Sequence, residues 1–221
     1  MSPVEETLRA LLGEGVALAL ADPGALATGL MPEETPAVAR AVPKRRAEFA
    51  AGRRAARAAL AQLGLPAQAI PQGPDRAPRW PAGVTGSISH CDGLCVAVAS
   101  VSGPALGVDI EPATPLAADL MDLVCTPSEQ AWAAIQPDPG LAAKQFFSAK
   151  EACYKAQYPL TGQLIGFDAL TLTIAPDGSF TARSALPLPR LTGATRIAGG
   201  LILSVCRARA PASSPKAQAH V

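Results

Sequence analysis

The chain has 221 residues, is 49% hydrophobic and 17% charged, and carries a formal net charge of +1, which suits one globular domain or two small ones and excludes a largely disordered chain. Near-neutrality also offers no strong global field for steering an acidic partner. Five cysteines (Cys91, Cys95, Cys125, Cys153 and Cys206) are odd in number and form no C-x-x-C pair. Neither a disulfide framework nor a zinc site is indicated, and they read as buried small hydrophobes.

In chain order, Glu5, Glu6 and Arg9 precede a short apolar run, Val16 to Ala21, too brief and wrongly flanked for a signal peptide or a membrane span. A cytoplasmic location is the expectation. Val16–Ala19 reads as a first strand. Pro43 opens a helix through Gln62 in which Phe49, Ala56, Leu60 and Leu63 recur at core spacing, while Arg46, Arg53 and Arg57 share another stripe. Gln72 to Gly86 is a loop of prolines and glycines, and Ser87–His90 and Leu94–Ser100 read as strands joined through Cys91, Asp92 and Gly93. Ser102-Gly103-Pro104 is the natural midpoint. Beyond it come a strand Leu106–Glu111, a capping box Thr126-Pro127-Ser128-Glu129 starting a helix through Ile135, and a helix over Leu141–Gln157. Strands Phe167–Ile174, Ser179–Ala182 and Leu201–Cys206 complete the expected elements, with a frayed tail over 211–221.

Charge is segregated along this order. Seven basic residues fall between Arg40 and Arg57 against the single Glu48, whereas no Lys or Arg occurs between Arg79 and Lys144, a gap holding seven acids. One region is suited to anions and another to cations, although a basic helix face is also an ordinary solvated surface. On the strand Gly107-Val108-Asp109-Ile110-Glu111, period two sends Asp109 and Glu111 to one face. Paired carboxylates there are costly without a cation between them, but also fit the solvent face of an amphipathic strand. In Phe147-Ser148-Ala149-Lys150-Glu151-Ala152-Cys153-Tyr154-Lys155-Ala156, helical spacing aligns Lys144, Ser148, Glu151 and Lys155, with Phe146, Ala149, Cys153 and Ala156 facing the core. Glu151 and Lys155 alone would be a common i,i+4 ion pair. Together, the two segments supply three carboxylates and two lysines, Lys150 and Lys155, suited to a divalent cation on a diphosphate and so to phosphoryl-transfer chemistry.

With Gly52-Arg53-Arg54-Ala55-Ala56-Arg57, Gly73-Pro74-Asp75-Arg76-Ala77-Pro78 and Gly86-Ser87-Ile88-Ser89-His90, these two segments make five motifs in one order. The set resembles the Sfp-type 4'-phosphopantetheinyl transferases, nearest their enterobactin-synthase branch. The resemblance implies an α+β fold of two similar α/β halves in a pseudo-twofold arrangement, with an N-terminal half over 1–103 that grips coenzyme A and a C-terminal half over 104–210 that holds the metal and docks the carrier. It implies transfer of the 4'-phosphopantetheine arm of coenzyme A to a serine of an apo acyl- or peptidyl-carrier protein, with release of 3',5'-ADP, in siderophore, other nonribosomal peptide or polyketide synthesis. By the same likeness Asp109, Glu111 and Glu151 hold Mg²⁺, Lys155 contacts the diphosphate, and Arg45, Arg53, Arg76, Ala77, Pro78, Ser89 and His90 bind coenzyme A, with Arg45 and Arg46 interchangeable in register. Glu151 and Lys155 are the expected catalytic pair, and His90 is an alternative base. A carrier partner, a monomer, and no nucleic acid or membrane are expected. Two other readings share part of the inventory. A metal-dependent nuclease uses Asp, Glu and Lys, with E-x-K on a strand, whereas Glu151-x-x-x-Lys155 is helical in pattern. A non-catalytic coenzyme A or nucleotide-binding module would not require the three acids.

Overall fold

The computed structural model describes residues 1–24, 29–91 and 93–209. Asp92 in the expected hairpin and the tail expected over 211–221 lie outside the described residues.

The first element is a helix the sequence reading omitted, α1 (Pro3–Leu12). Its signals are local: the Ser2 hydroxyl accepts the Glu5 amide at 3.2 Å, Pro3 takes the first turn, and Gly13 closes the helix at φ 64°. Strand β1 (Ala17–Ala21) starts one residue later than expected. Gln62 covers its outer edge, donating to the Leu18 carbonyl at 2.8 Å and accepting the Leu18 amide at 3.3 Å. Helix α2 (Pro43–Gln62) has the expected bounds. Its Ala55, Ala56 and Ala59 cluster with Ala17, Ala19, Ala97 and Ala99, with Leu60 of the helix and Ile88 of the sheet completing the contact. With β2 (Val84–Cys91) and β3 (Leu94–Val101), β1 forms a three-stranded antiparallel sheet ordered β1-β3-β2.

Strand β4 (Ala105–Pro112) is the edge of a second antiparallel sheet, ordered β4-β8-β7-β6-β5, with β5 (Thr171–Ile174), β6 (Ser179–Arg183), β7 (Arg190–Ala198) and β8 (Leu201–Arg209). The strand expected over Phe167–Ile174 begins only at Thr171, because Phe167–Ala169 makes a 3₁₀ turn and the Phe167 carbonyl accepts Lys150 Nζ at 3.0 Å. Strand β7 was not anticipated; its apolar residues are sparse, and its central Gly193 is a strand breaker by composition. A Cβ at Gly193 would meet the Phe180 ring and the Val205 carbonyl. Between the sheet's strands run α3 (Met121–Val124), α4 (Pro127–Ala134), which has the expected Thr126/Glu129 capping box, and α5 (Pro139–Thr161). Helix α5 exceeds the expected Leu141–Gln157 at both ends. Asp138 caps it by accepting the Leu141 amide at 2.8 Å, and it passes Pro159 before Gly162 ends it at φ 64°.

Helix α5 packs Phe146, Ala149, Cys153 and Ala156 on one face of the five-stranded sheet. The remaining faces of both sheets share a third cluster in which Leu18, Val96 and Val98 meet Leu106, Val108 and Ile110, along with Val4, Leu8 and Leu12 of α1. Val108 and Ile110 therefore point into a core and Asp109 and Glu111 away from it, as period two requires. Where the sheets adjoin, hydroxyls bond the β4 amides: Thr85, Ser87 and Ser89 of β2 accept from Leu106, Val108 and Ile110 at 3.1, 3.1 and 3.3 Å.

Gly107 sets how close α5 comes to β4. A Cβ there would fall on the Ala152 carbonyl and lie 2.8 Å from the Ala156 amide nitrogen. Backbone cannot swing aside as a side chain does, so Gly107→Ala is expected to cost at least the ~1–3 kcal/mol of an overpacked core. Urea denaturation checks it; unchanged stability would mean that α5 does not bear on β4 here.

Candidate active site

Asp109 is buried at 3% exposure, which removes it from any solvent face. Its Oδ1 accepts Lys155 Nζ at 2.7 Å and the Ser89 hydroxyl at 3.0 Å. Lys155 also donates to Ser89 Oγ and the Val108 carbonyl, each at 3.2 Å. It thus turns from its i,i+4 neighbour Glu151 to lock α5 onto β4 and β2. Asp109 Oδ2 is buried and has no hydrogen-bond partner among the described residues. Such an anionic oxygen is costly unless a cation meets it.

Glu111, two residues along the same face, is paired with Lys144 of α5 at 2.6 Å, and that ammonium also lies 4.3 Å from the centre of the Phe147 ring. Glu151 faces the same space. Burial pushes its carboxyl up from the ordinary glutamate value, the Lys155 ammonium pulls it down, and Asp109 and Glu111 add to the rise. Among the described residues no three His, Cys, Asp or Glu side chains are gathered so as to hold a metal on their own. An all-oxygen donor set with one unpartnered carboxylate oxygen nevertheless fits Mg²⁺, a hard cation that takes one or two carboxylates and completes its shell with water and substrate phosphates.

The opposite wall is basic. Arg45 of α2 lies against His90, Arg45 Nη1 meeting His90 Nε2, and Glu48 Oε2 stands 3.5 Å from each. Of the two arginines left open by sequence, Arg45 lines the cleft, whereas Arg46 donates to the Val38 and Ala39 carbonyls. Arg53 is buried over the Phe49 ring at 4.0 Å and donates Nε to the Ile70 carbonyl at 2.6 Å. Arg76 sits at φ 68°, a left-handed conformation uncommon for a non-glycine residue. Its loop holds it there: Gln72 Nε2 donates to the Arg76 carbonyl at 3.0 Å, the Arg76 amide donates to the Gly73 carbonyl at 2.9 Å, and Tyr158 of α5 donates to Asp75 at 3.1 Å.

Arg45, Arg53, Arg76, Pro78, Ser89, His90, Asp109, Glu111, Glu151 and Lys155 all line one cavity of about 320 Å³. A larger neighbour of about 880 Å³ shares Arg76, Pro78 and Lys155 and takes in Ala77. Every residue expected to bind metal or coenzyme A by the resemblance therefore borders one of two adjoining spaces. Lys150, expected beside Lys155, faces away: fully buried, it donates to Glu129 Oε2 and the Val124 carbonyl, both at 2.7 Å. Ser148, aligned with the charged stripe by spacing, is buried as well. Sequence reasoning also missed Glu48, Phe49 and Gln72; for Glu48, the i,i+3 spacing from Arg45 was the available signal.

Two family models match the chain: 4'-phosphopantetheinyl transferase N-terminal domain over residues 33–100 and 4'-phosphopantetheinyl transferase superfamily over 105–206. The chain belongs to this superfamily. It is 43% identical over 211 residues to the 4'-phosphopantetheinyl transferase Svp of Streptomyces mobaraensis, covering 86% of this chain and 83% of the relative. Identity to PptT of Mycobacterium tuberculosis is 37% over 193 residues, covering 79% and 84%. The likeness to enterobactin synthase component D of Salmonella typhi, 42% identical, spans 59% of this chain and 55% of that one, so the branch noted from the motifs is matched over a shorter stretch than Svp or PptT. The transferase modifies carrier proteins with 4'-phosphopantetheine.

Two outcomes test the buried charges of the transferase, one beside the site and one within it. Lys150→Met leaves Glu129 buried and unpaired and is expected to cost about 3–5 kcal/mol, partly recovered by adding Glu129→Gln; a neutral single variant in urea denaturation would contradict the pairing. In metal-free enzyme, Glu151→Gln is expected to be more stable than the parent at neutral pH. The sign follows from a folded-state carboxyl held above its unfolded value: the folded parent binds its proton more readily, so its penalty is absent below the ordinary glutamate range and complete once pH passes the raised value. Melting temperatures across pH check this, and an advantage that grew toward acid would have the wrong sign.

Proposed function

We propose that this transferase takes the 4'-phosphopantetheine arm from coenzyme A, with Mg²⁺, and places it on a serine of an apo acyl- or peptidyl-carrier protein, releasing 3',5'-ADP. The observation that carries the reading is the meeting in one cleft of the cations Arg45, Arg53, Arg76 and Lys155 with the carboxylates Asp109, Glu111 and Glu151, beside Ser89 and His90. The arginines, with Ser89 and His90, would grip the 3'-phosphate and diphosphate, and Ala77 and Pro78 would border the nucleotide. Asp109, Glu111 and Glu151 would hold Mg²⁺, which supplies charge neutralisation on the diphosphate.

In the transfer, the carrier serine oxygen forms a bond to the phosphorus bearing the pantetheine arm. The bond from that phosphorus to the bridging oxygen breaks, and 3',5'-ADP leaves with the bridging electrons. Lys155 stabilises charge on the diphosphate oxygens. The serine proton passes to Glu151, whose carboxyl, lifted by burial above the ordinary glutamate value, is a stronger base than an exposed glutamate. His90 is less suited to that step. A guanidinium only donates, so His90 Nε2 accepts from Arg45 and its lone pair is engaged.

A division into halves over 1–103 and 104–210 in a pseudo-twofold relation is supported by one long helix against an antiparallel sheet in each and by a break between the family matches after residue 100. The siderophore or other nonribosomal peptide and polyketide setting is supported by the relative named enterobactin synthase component D. A cytoplasmic monomer is consistent with both charge sets coming from one chain and with no described helix being long and apolar enough to cross a membrane.

Incubation with coenzyme A, Mg²⁺ and a panel of apo carriers, weighed intact, is expected to show one carrier heavier by one phosphopantetheine. The gain should vanish with chelator and with Asp109→Ala. A gain that persisted in both would remove the metal site from the reading.

A further inference from the structure

Glu34 is fully buried, lies far in sequence from every expected site residue except those of α2, and touches none of the carboxylates on β4. Its Oε1 accepts Arg57 Nη1 at 2.6 Å and the Ile70 amide at 2.9 Å, and its Oε2 accepts the Met31 amide at 2.9 Å. The other face of Ile70 completes a chain of contacts, since the Ile70 carbonyl accepts Arg53 Nε at 2.6 Å. One residue is thus gripped through its N–H by an anion and through its C=O by a cleft arginine.

Two consequences follow for the anion-binding wall. Arg53 has its Nε committed, which fixes the plane of a guanidinium that lines the cleft. Ile70 is also the root of the loop that presents Arg76. That loop is closed on itself by the Arg79 amide to the Pro71 carbonyl and the Gly73 amide to the Ala77 carbonyl, at 2.9 and 2.8 Å. A displacement of Ile70 therefore moves Arg53 and Arg76 together. The arginines need such an anchor: burial lowers Arg53 to about 10, Glu34 opposes that fall, and Arg45 and Arg57 add to it.

We propose that Glu34 is a positioning residue for the anion-binding end of the cleft, holding Arg53 and the Arg76 loop in the geometry that receives the phosphates of coenzyme A. The inference rests on the coenzyme A reading of that cleft. Positioning and simple charge make opposite predictions, because removing a carboxylate near an anion site would by charge alone tighten anion binding.

The experiment measures coenzyme A binding by calorimetry without carrier, and KM and kcat for coenzyme A and carrier, in Glu34→Gln, Glu34→Asp and Arg53→Met, with folding verified by circular dichroism. Glutamine keeps the shape but turns an N–H₂ toward the Met31 amide or the Arg57 guanidinium; aspartate keeps the charge but not the reach. Both are expected to weaken coenzyme A binding about tenfold, with kcat and the carrier KM changed by no more than about twofold. Should glutamine fail to fold, aspartate carries the same comparison. Tighter binding, or unchanged binding with only a lower melting temperature while Arg53→Met is impaired, overturns the role given to Glu34. Unimpaired binding in Arg53→Met as well would overturn the coenzyme A reading, and the inference with it.

Discussion

The closeness of α5 to β4 governs everything the site does. Gly107 removes the side chain that would hold them apart, and Ala149, Ala152, Cys153 and Ala156 keep the helix surface shallow. Lys155 and Lys144, three helical turns apart, then reach Asp109 and Glu111, two residues apart on the strand, with Glu151 between. A longer side chain at the crossing would lift all three reactive side chains of the helix off the strand at once. The short apolar residues contribute little area, and their value lies in distance.

Buried charge is handled in two ways. Lys150 with Glu129 and Arg57 with Glu34 are closed pairs in which backbone groups take up the remaining bonding capacity: Glu129 accepts the Thr126 and Leu172 amides at 2.7 and 2.6 Å. Pairs so complete hold loops in register and leave nothing for a ligand. Asp109 is different, with one oxygen satisfied by Lys155 and Ser89 and the other left bare among the described residues. Incomplete satisfaction in a buried group marks chemistry more sharply than charge alone does.

Much of this was legible in the chain because it rests on periodicity. The D-x-E strand face, the 3.6-residue stripe of Glu151 and Lys155, and the Pro43 and Thr126 helix starts each follow from local geometry. Lys150 did not, since spacing cannot say which side of a helix meets an apolar wall and which meets a buried Glu129. Glu34 and Glu48 were opaque for another reason: their roles are set by Ile70, His90 and Arg57, partners more than twenty residues distant, or, in Arg45, by a contact meaningful only once His90 is beside it. Helix α1 carried clear capping signals and was overlooked beside a more conspicuous apolar run, whereas β7, with a glycine at its centre, had few to offer.

The seam between β2 and β4 has a property that ordinary strand pairing lacks. A backbone ladder accepts almost any residue, so its register is protected by geometry. Here Thr85, Ser87 and Ser89 supply the acceptors, and the alignment of the two sheets is written in residue identity, repeating every second position. Each rung can be erased by removing one oxygen atom without disturbing either main chain. The stiffness of the joint is thus open to adjustment by point substitution in three steps, and the last of them, Ser89, is bonded to the reactive carboxylate itself.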